Sequence, residues 1–441
     1  MISQFTAPSI NCGPDTVRTI DHLRVLLLLL YLAVLVIRPE NRFPLLASVH
    51  FERLIIFLCW VFAFISLHPR LTLSSTTALL GLLSLHMLCS FLLSPYRIYP
   101  GPQHWAQNFW KTLVFYLLIT YSVRQTSHLS LLFRGLVVVG ALYQLYSWYD
   151  FLHGGSYVYQ QGFRRMIGIW SQGGLGAPNA YAFFALTSMP PAIFWAKTAP
   201  RRIDRFCMVA YLCLSTLSIF FTGTRAAAYG IPFLLFLYLV GRRKSFFALL
   251  FVLLLIYAVA AALLPEPLKY RYLSYLGYRT DTVEERFNTL QRSSAASRLQ
   301  GLKDGFALAL KRPLTGWGPG ASAVARCQIN PSFCSPESDP LELHSLYGQV
   351  LGDVGFPGFF LFGAILCLLF RTTIRIRRHQ SDISRPDREL AKLLFVLCFL
   401  LLFYGFASHI LYRYNLYFLL GCYEAFVQAI AHKGTLIRAR R

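Results

Sequence analysis

Apolar residues run along this chain in long continuous blocks separated by short polar stretches. The blocks lie near 24–37, 54–68, 73–93, 108–123, 131–152, 179–196, 206–222, 225–240, 246–264, 357–375, 391–408 and 411–431. Each is roughly 15 to 25 residues long, the length an α-helix needs to cross about 30 Å of hydrocarbon. They are continuously apolar rather than alternating, which predicts helices and not a transmembrane barrel. The pattern therefore predicts an all-α polytopic membrane protein of about 12 transmembrane helices. The first block follows a polar N-terminus without a small-residue cleavage site and reads as a retained anchor.

The spacing of the blocks divides the chain. Residues 1–264 carry nine spans and a short external loop near 153–178, residues 265–356 form one large external loop, and residues 357–441 carry three spans and a basic tail. Within the large loop, SRLQGLKDGFALALKRPLTGWGPG (297–320) predicts an amphipathic helix near 297–312. Ser297 and Gln300 fit a capping box, Leu299, Leu302, Phe306 and Leu310 form a stripe at helical spacing, and Pro313 with the following glycines stops it. Such a helix packs on the bundle or lies in the interface. At the start of the loop, KYRYLSYLGYR (269–279) places Tyr270 and Tyr275 among basic residues. They fit an interfacial aromatic belt, or a platform that stacks on sugar rings.

Composition and charge sharpen this picture. Of the 441 residues 56% are hydrophobic and 14% charged, and the net charge is +23. In a soluble protein that charge would point to nucleic acid; here its distribution follows membrane topology. Lys197, Arg201, Arg202 and Arg205 share one short loop, Arg242, Arg243 and Lys244 lie two spans later, and Arg371 to Lys392 two spans after that. The tail adds Lys433, Arg438, Arg440 and Arg441. The positive-inside rule makes these segments cytoplasmic, with both termini inside and 265–343 outside; long loops escape the rule. No nucleic-acid partner is expected. Cys327 and Cys334 lie in the external loop, where a bridge between them and two free thiols are both open. The 11 histidines are scattered without CxxC or HExxH, so no metal site is expected.

Three basic residues stand out by position. Arg225, in FFTGTRAAAYG, lies at the external turn between two spans, where a helix start beside a guanidinium suits an anion. Arg298 lies at the predicted start of the loop helix, where the dipole disfavours a cation. His344 opens HSLYGQVLGDVGFPG. One helix from 344 to 370 would rise about 40 Å, so a break at Gly355-Phe-Pro-Gly358 is expected, leaving a short external His-bearing helix over 344–354. His344, Gly348, Gly352 and Gly355 share a face open to close packing. A neutral imidazole there suits general-base work on a hydroxyl, with Glu342 a possible orienter and Asp353 too far along the helix. Together the arginines suit a lipid pyrophosphate, whose oxygens guanidinium pairs bidentately without a metal.

With these residues in view, the chain resembles the bacterial O-antigen ligase and O-antigen polymerase superfamily, closest to the ligase. His344, Ser345, nine residues and Gly355-Phe-Pro-Gly358 resemble the ligase signature; SRLQGLKDGFALALKRPLTGWGPG, TGTRAA and GLGAPNAYAFF (174–184) are similar to its other motifs. The likeness covers roughly residues 160–430. It implies a GT-C-type glycosyltransferase of the bacterial inner membrane, its large loop and active site periplasmic, using no cofactor. Its partners would be an undecaprenyl pyrophosphate-linked glycan donor, a lipid A–core acceptor or a second lipid-linked glycan, and the bilayer. By the same resemblance Arg225 and Arg298 would hold the donor pyrophosphate, Asn179 would sit at the substrate and His344 would be the base. Phe359-Phe360 stands where a ligase would carry a small or polar pair, which keeps the polymerase as the alternative. A protein O-oligosaccharyltransferase lies further back. A transporter or flippase is disfavoured by the lack of an internal repeat and by basic groups confined to one face.

Overall fold

The computed structural model describes residues 14–65, 74–160, 163–169, 174–239, 262, 264–273, 285–329, 342–378 and 384–439. In chain order these form α1 (Pro14–Ile37), α2 (Pro44–Ser48), α3 (Phe51–Ile65), α4 (Ser75–Leu92), α5 (Pro100–Ser122) and α6 (Thr126–Leu152). A hairpin follows, β1 (Tyr157–Gln160) and β2 (Phe163–Met166), then α7 (Pro178–Thr198), α8 (Arg202–Phe221) and α9 (Arg225–Leu239). The rest is α10 (Glu266–Leu273), α11 (Glu285–Lys311), α12 (Ala321–Ile329), α13 (Leu346–Arg378), α14 (Arg385–Gly405) and α15 (Tyr414–Ala439).

The chain is a predominantly helical membrane protein. Four helices among the described residues are long and apolar enough to cross a bilayer: Ser75–Leu92, Thr126–Leu152, Arg202–Phe221 and Leu346–Ile374. Arg225–Leu239 is apolar but shorter. The other expected spans within the described residues are helical, but shorter or more polar, and the one near 246–264 lies almost wholly outside those residues. One element departs from the all-α expectation. The antiparallel hairpin pairs Tyr157 with Met166 and Gln160 with Phe163; the run Tyr157-Val158-Tyr159 is of aromatic and β-branched residues, which favour a strand.

Packing sorts the helix ends into two sets. At one end Lys197 of α7 approaches Glu389 of α14 (3.5 Å), and Lys433 of α15 reaches Asp387 of α14 (2.9 Å) and Thr126 of α6 (2.7 Å). At the other end lie the N-termini of α7, α9, α13 and α15, the hairpin and the loop after α14. Between them runs an apolar core in which α5 packs along α15, with Phe109 and Tyr417 in edge contact (6.0 Å).

The loop helix is longer than its capping box indicates. α11 starts at Glu285, so Ser297 and Arg298 sit inside it and Gln300 donates to Asp304 Oδ1 (2.7 Å) rather than capping. The dipole argument for Arg298 therefore falls. The apolar stripe also faces elsewhere: Leu299, Phe306 and Leu310 are exposed, while Leu308 and Ala309 are buried. Glycine decides which face packs. A Cβ on Gly301 would stand 1.8 Å from the Leu343 carbonyl oxygen, and one on Gly305 2.3 Å from that of Gly348. α11 thus lies backbone to backbone on α13, and its apolar stripe is left to the surroundings.

α13 is two helical pieces joined at Gly355, whose φ of 66° and ψ of −167° break the helix. The loop after α11 fills the break: Phe356 N donates to Pro313 O (2.9 Å) and Trp317 N to Gly352 O (3.0 Å). Asp353, fully buried, accepts from the N–H groups of Gly320 and Ser322 (both 3.0 Å) and from the Tyr412 hydroxyl (2.8 Å). Its carboxylate caps α12 and pins the loop before α15. That is an architectural role, remote from His344.

Candidate active site

The site is assembled by turns at one end of the bundle. Between α8 and α9, Gly223 adopts a φ of 66°, a left-handed conformation that suits glycine. Thr224 N donates to Thr222 Oγ1 (3.2 Å), and Arg225, 6% exposed, begins α9. The hairpin closes over this turn. Arg165 on β2, 4% exposed, donates from Nε to Thr222 O (2.7 Å) and from Nη2 to Thr224 Oγ1 (3.3 Å) and Asn179 Oδ1 (3.2 Å). Its Nη1 donates to Gln160 Oε1 (3.3 Å). All four acceptors are neutral oxygens.

Asn179, one residue into α7, is the hub of this corner. Its side-chain oxygen also accepts the Thr224 hydroxyl (3.1 Å), and its carbonyl accepts the Tyr404 hydroxyl (2.8 Å). Arg271 on α10, 4% exposed, donates through Nε to Gly223 O and lies over the Phe163 ring at 5.3 Å. The neighbouring Tyr272 donates its hydroxyl to Phe220 O (3.1 Å).

Electrostatics show that these arginines share one field. Burial lowers the Arg271 pKa to about 9, and Arg165, Arg225 and Arg298 push it the same way. Burial lowers Arg165 to about 10, again with Arg298 contributing. Arg165, Arg225 and Arg298 therefore lie near enough to Arg271 to act on it, and three of the four are buried. Desolvated like charges that repel one another are costly. A polyanion between them offsets that cost, and guanidinium is suited to bidentate pairing with phosphate.

His344 adjoins the cluster on the Arg298 side. It immediately precedes the buried Ser345 that leads into α13, and its φ of 50° turns the chain toward that helix. The ring is accessible but walled by protein, and its pKa is lowered by desolvation first, then by Arg298 and Arg326. Arg326 is buried in a 2.6 Å pair with Asp304, which ties α12 to α11. Glu342 is no orienter of the imidazole here: it accepts the Trp105 indole N–H (3.0 Å), and burial raises its pKa to about 7.

The structure thus brings Arg225, Arg298, His344 and Asn179 to one place, and adds Arg165 and Arg271, which the sequence reading missed. Both belong to segments that the sequence leads one to expect outside the membrane, where the positive-inside rule supplies no reason for a base; that is the signal they offered. Tyr275 and Cys334 lie outside the described residues, as does the side chain of Tyr270. Cys327, on α12, is disulfide-bonded. Among the described residues no group of three or more His, Cys, Asp or Glu side chains is arranged to hold a metal ion.

Comparison with curated proteins gives no match. Comparison with family models does: residues 210–363, the stretch that carries Arg225, Arg298 and His344, match the family described as O-antigen ligase. Over that segment, about a third of its length, the chain is similar to the O-antigen ligase and polymerase superfamily.

Proposed function

We propose that this protein is an O-antigen ligase: a twelve-span, GT-C-type transferase that moves a glycan from undecaprenyl pyrophosphate onto a sugar hydroxyl of lipid A–core. The observation that carries the reading is the cluster of Arg165, Arg225, Arg271 and Arg298 beside a neutral histidine at one end of the bundle. The positive-inside rule assigns that end to the periplasm of an inner-membrane protein, with both termini cytoplasmic. The loop over 265–356 would then form the site's roof, between spans in 1–264 and 357–441.

In this mechanism the guanidiniums grip the donor pyrophosphate. His344 takes the proton from the acceptor hydroxyl as its oxygen attacks the anomeric carbon. The bond from that carbon to the pyrophosphate oxygen breaks, and its electron pair leaves with the pyrophosphate, where the arginines stabilise the growing charge. Displacement of this kind inverts the anomeric centre. Charge neutralisation by arginine needs no metal, so transfer should persist in EDTA.

Deletion of the gene tests the assignment. Loss of all core-attached O-chain on a lipopolysaccharide gel, with polymer accumulating on the lipid carrier, is the expected result. Core bearing a single repeat unit would instead make the protein a polymerase, the second reading that Phe359-Phe360 keeps alive.

The pH dependence follows from the field at His344. The base works when neutral, and desolvation with Arg298 and Arg326 lowers its pKa. The acid limb of kcat/KM should therefore fall below the ordinary imidazole value of about 6.5. Bound pyrophosphate offsets the arginine field, so the limb of kcat should lie at higher pH than that of kcat/KM. A kcat/KM limb at or above about 7 would contradict a base held in this field.

A further inference from the structure

His344 has a second imidazole beside it. His409 lies in the loop between α14 and α15, and its ring centre stands 5.4 Å from that of His344 with the planes at 42°. On its other side the Trp105 ring meets it edge-on at 6.0 Å. This loop is fastened to the first half of α13, which starts two residues after His344: Tyr412 donates to Asp353 Oδ2 (2.8 Å) and Leu411 N to Gln349 Oε1 (3.3 Å). The two imidazoles are therefore held by one rigid unit rather than meeting across a flexible gap.

The Nδ1 atom of His409 is buried and makes no hydrogen bond within the described residues. An orphaned buried polar atom is costly and calls for an explanation. His344 has a matching need. On taking a proton it becomes an imidazolium facing Arg298 and Arg326, and among the described residues no carboxylate hydrogen-bonds to it. General bases are ordinarily oriented by a third group that accepts their other N–H.

We propose that His409 is the positioning residue for His344, a neutral second imidazole whose Nδ1 accepts the N–H of His344 in the acceptor-bound enzyme. The 5.4 Å ring separation is short enough for an N–H···N bond once the two rings turn toward one another. That bond fixes the tautomer of His344, so that its free nitrogen faces the acceptor hydroxyl. During transfer the acceptor proton passes to that nitrogen of His344, while the other N–H of the imidazolium stays hydrogen-bonded to His409; after product leaves, the transferred proton is lost to solvent. Burial, with Arg413 and His344 acting in the same direction, lowers the His409 pKa to about 3 and keeps the ring neutral, so one of its two nitrogens is an acceptor. The charged groups facing the pair are Arg298 from α11, Arg326 from α12 and Arg413 at the foot of α15. Glu342 stands behind Trp105.

The inference rests on His344 being the base, and the test separates the two claims. The full-length protein in lipid nanodiscs is assayed with undecaprenyl pyrophosphate-linked glycan and lipid A–core. His409→Phe keeps the ring volume against Trp105 but removes the acceptor; His409→Gln keeps an acceptor but loses the ring. Expected is a fall in kcat of about tenfold or more for Phe, less than the ~10²–10⁴ of a general base itself. The KM values for donor and acceptor should stay unchanged, and Gln should recover most of the rate. Packing alone reverses the order, with Phe near wild type and Gln impaired, and that result overturns the proposal. Equal rates in both variants and wild type overturn it too. If His344→Asn transfers at the wild-type rate in the same assay, the base reading itself has failed.

Discussion

His344→Ala is expected to lose about 10²–10⁴-fold in transfer rate while still binding undecaprenyl pyrophosphate, since the change removes the base and leaves the arginine cluster in place. The backbone at this position complicates the alanine result, because a φ of 50° is unusual outside glycine. Asparagine enters that region readily and cannot act as a base. His344→Asn is therefore the cleaner variant. Loss in both, with donor binding kept, assigns the effect to the imidazole; recovery in the Asn variant would make His344 a backbone hinge and nothing more.

The second large effect lies in the arginines. Arg225→Ala and Arg298→Ala should each weaken donor use by about 10²–10³-fold, the scale of losing one preorganised donor to developing charge. Lysine should rescue only in part, since its point charge does not reproduce a bidentate fork. Full rescue by lysine at both positions would contradict that geometry. Arg165 should behave differently. Its guanidinium fastens β2 to Thr222, Thr224 and Asn179, so Arg165→Lys should lower thermal stability as well as activity. A thermal midpoint unchanged in that variant would show that these bonds carry little of the fold.

Some of this was readable in the chain. The break at Gly355-Phe-Pro-Gly358 followed from length against membrane thickness, and the left-handed Gly355 provides it. The glycines after His344 pointed to a close partner, and that partner is α11, through Gly301 and Gly305. Arg225 stood out because its turn is short and its surroundings apolar.

Other features were hidden for physical reasons. Burial of a loop arginine depends on what folds over it, and nothing local marks Arg165 or Arg271 as buried. The start of α11 at Glu285 was missed because a serine–glutamine pair inside a helix mimics a cap. The apolar stripe of α11 did not reveal which face packs, because two glycines on another face let the backbones touch. His409 lies some 65 residues beyond His344, and only the loop anchored by Asp353 and Gln349 brings the rings together.

Purified protein in nanodiscs, given undecaprenyl pyrophosphate-linked glycan and lipid A–core in the presence of EDTA, should form glycan-bearing lipid A–core and release undecaprenyl pyrophosphate in equal amount. The Arg298→Ala and His344→Asn variants should form both at least about 100-fold more slowly. Movement of intact donor between leaflets without any transfer product, unaffected by Arg298→Ala, would contradict the transferase and mark the protein as a carrier of lipid-linked glycan.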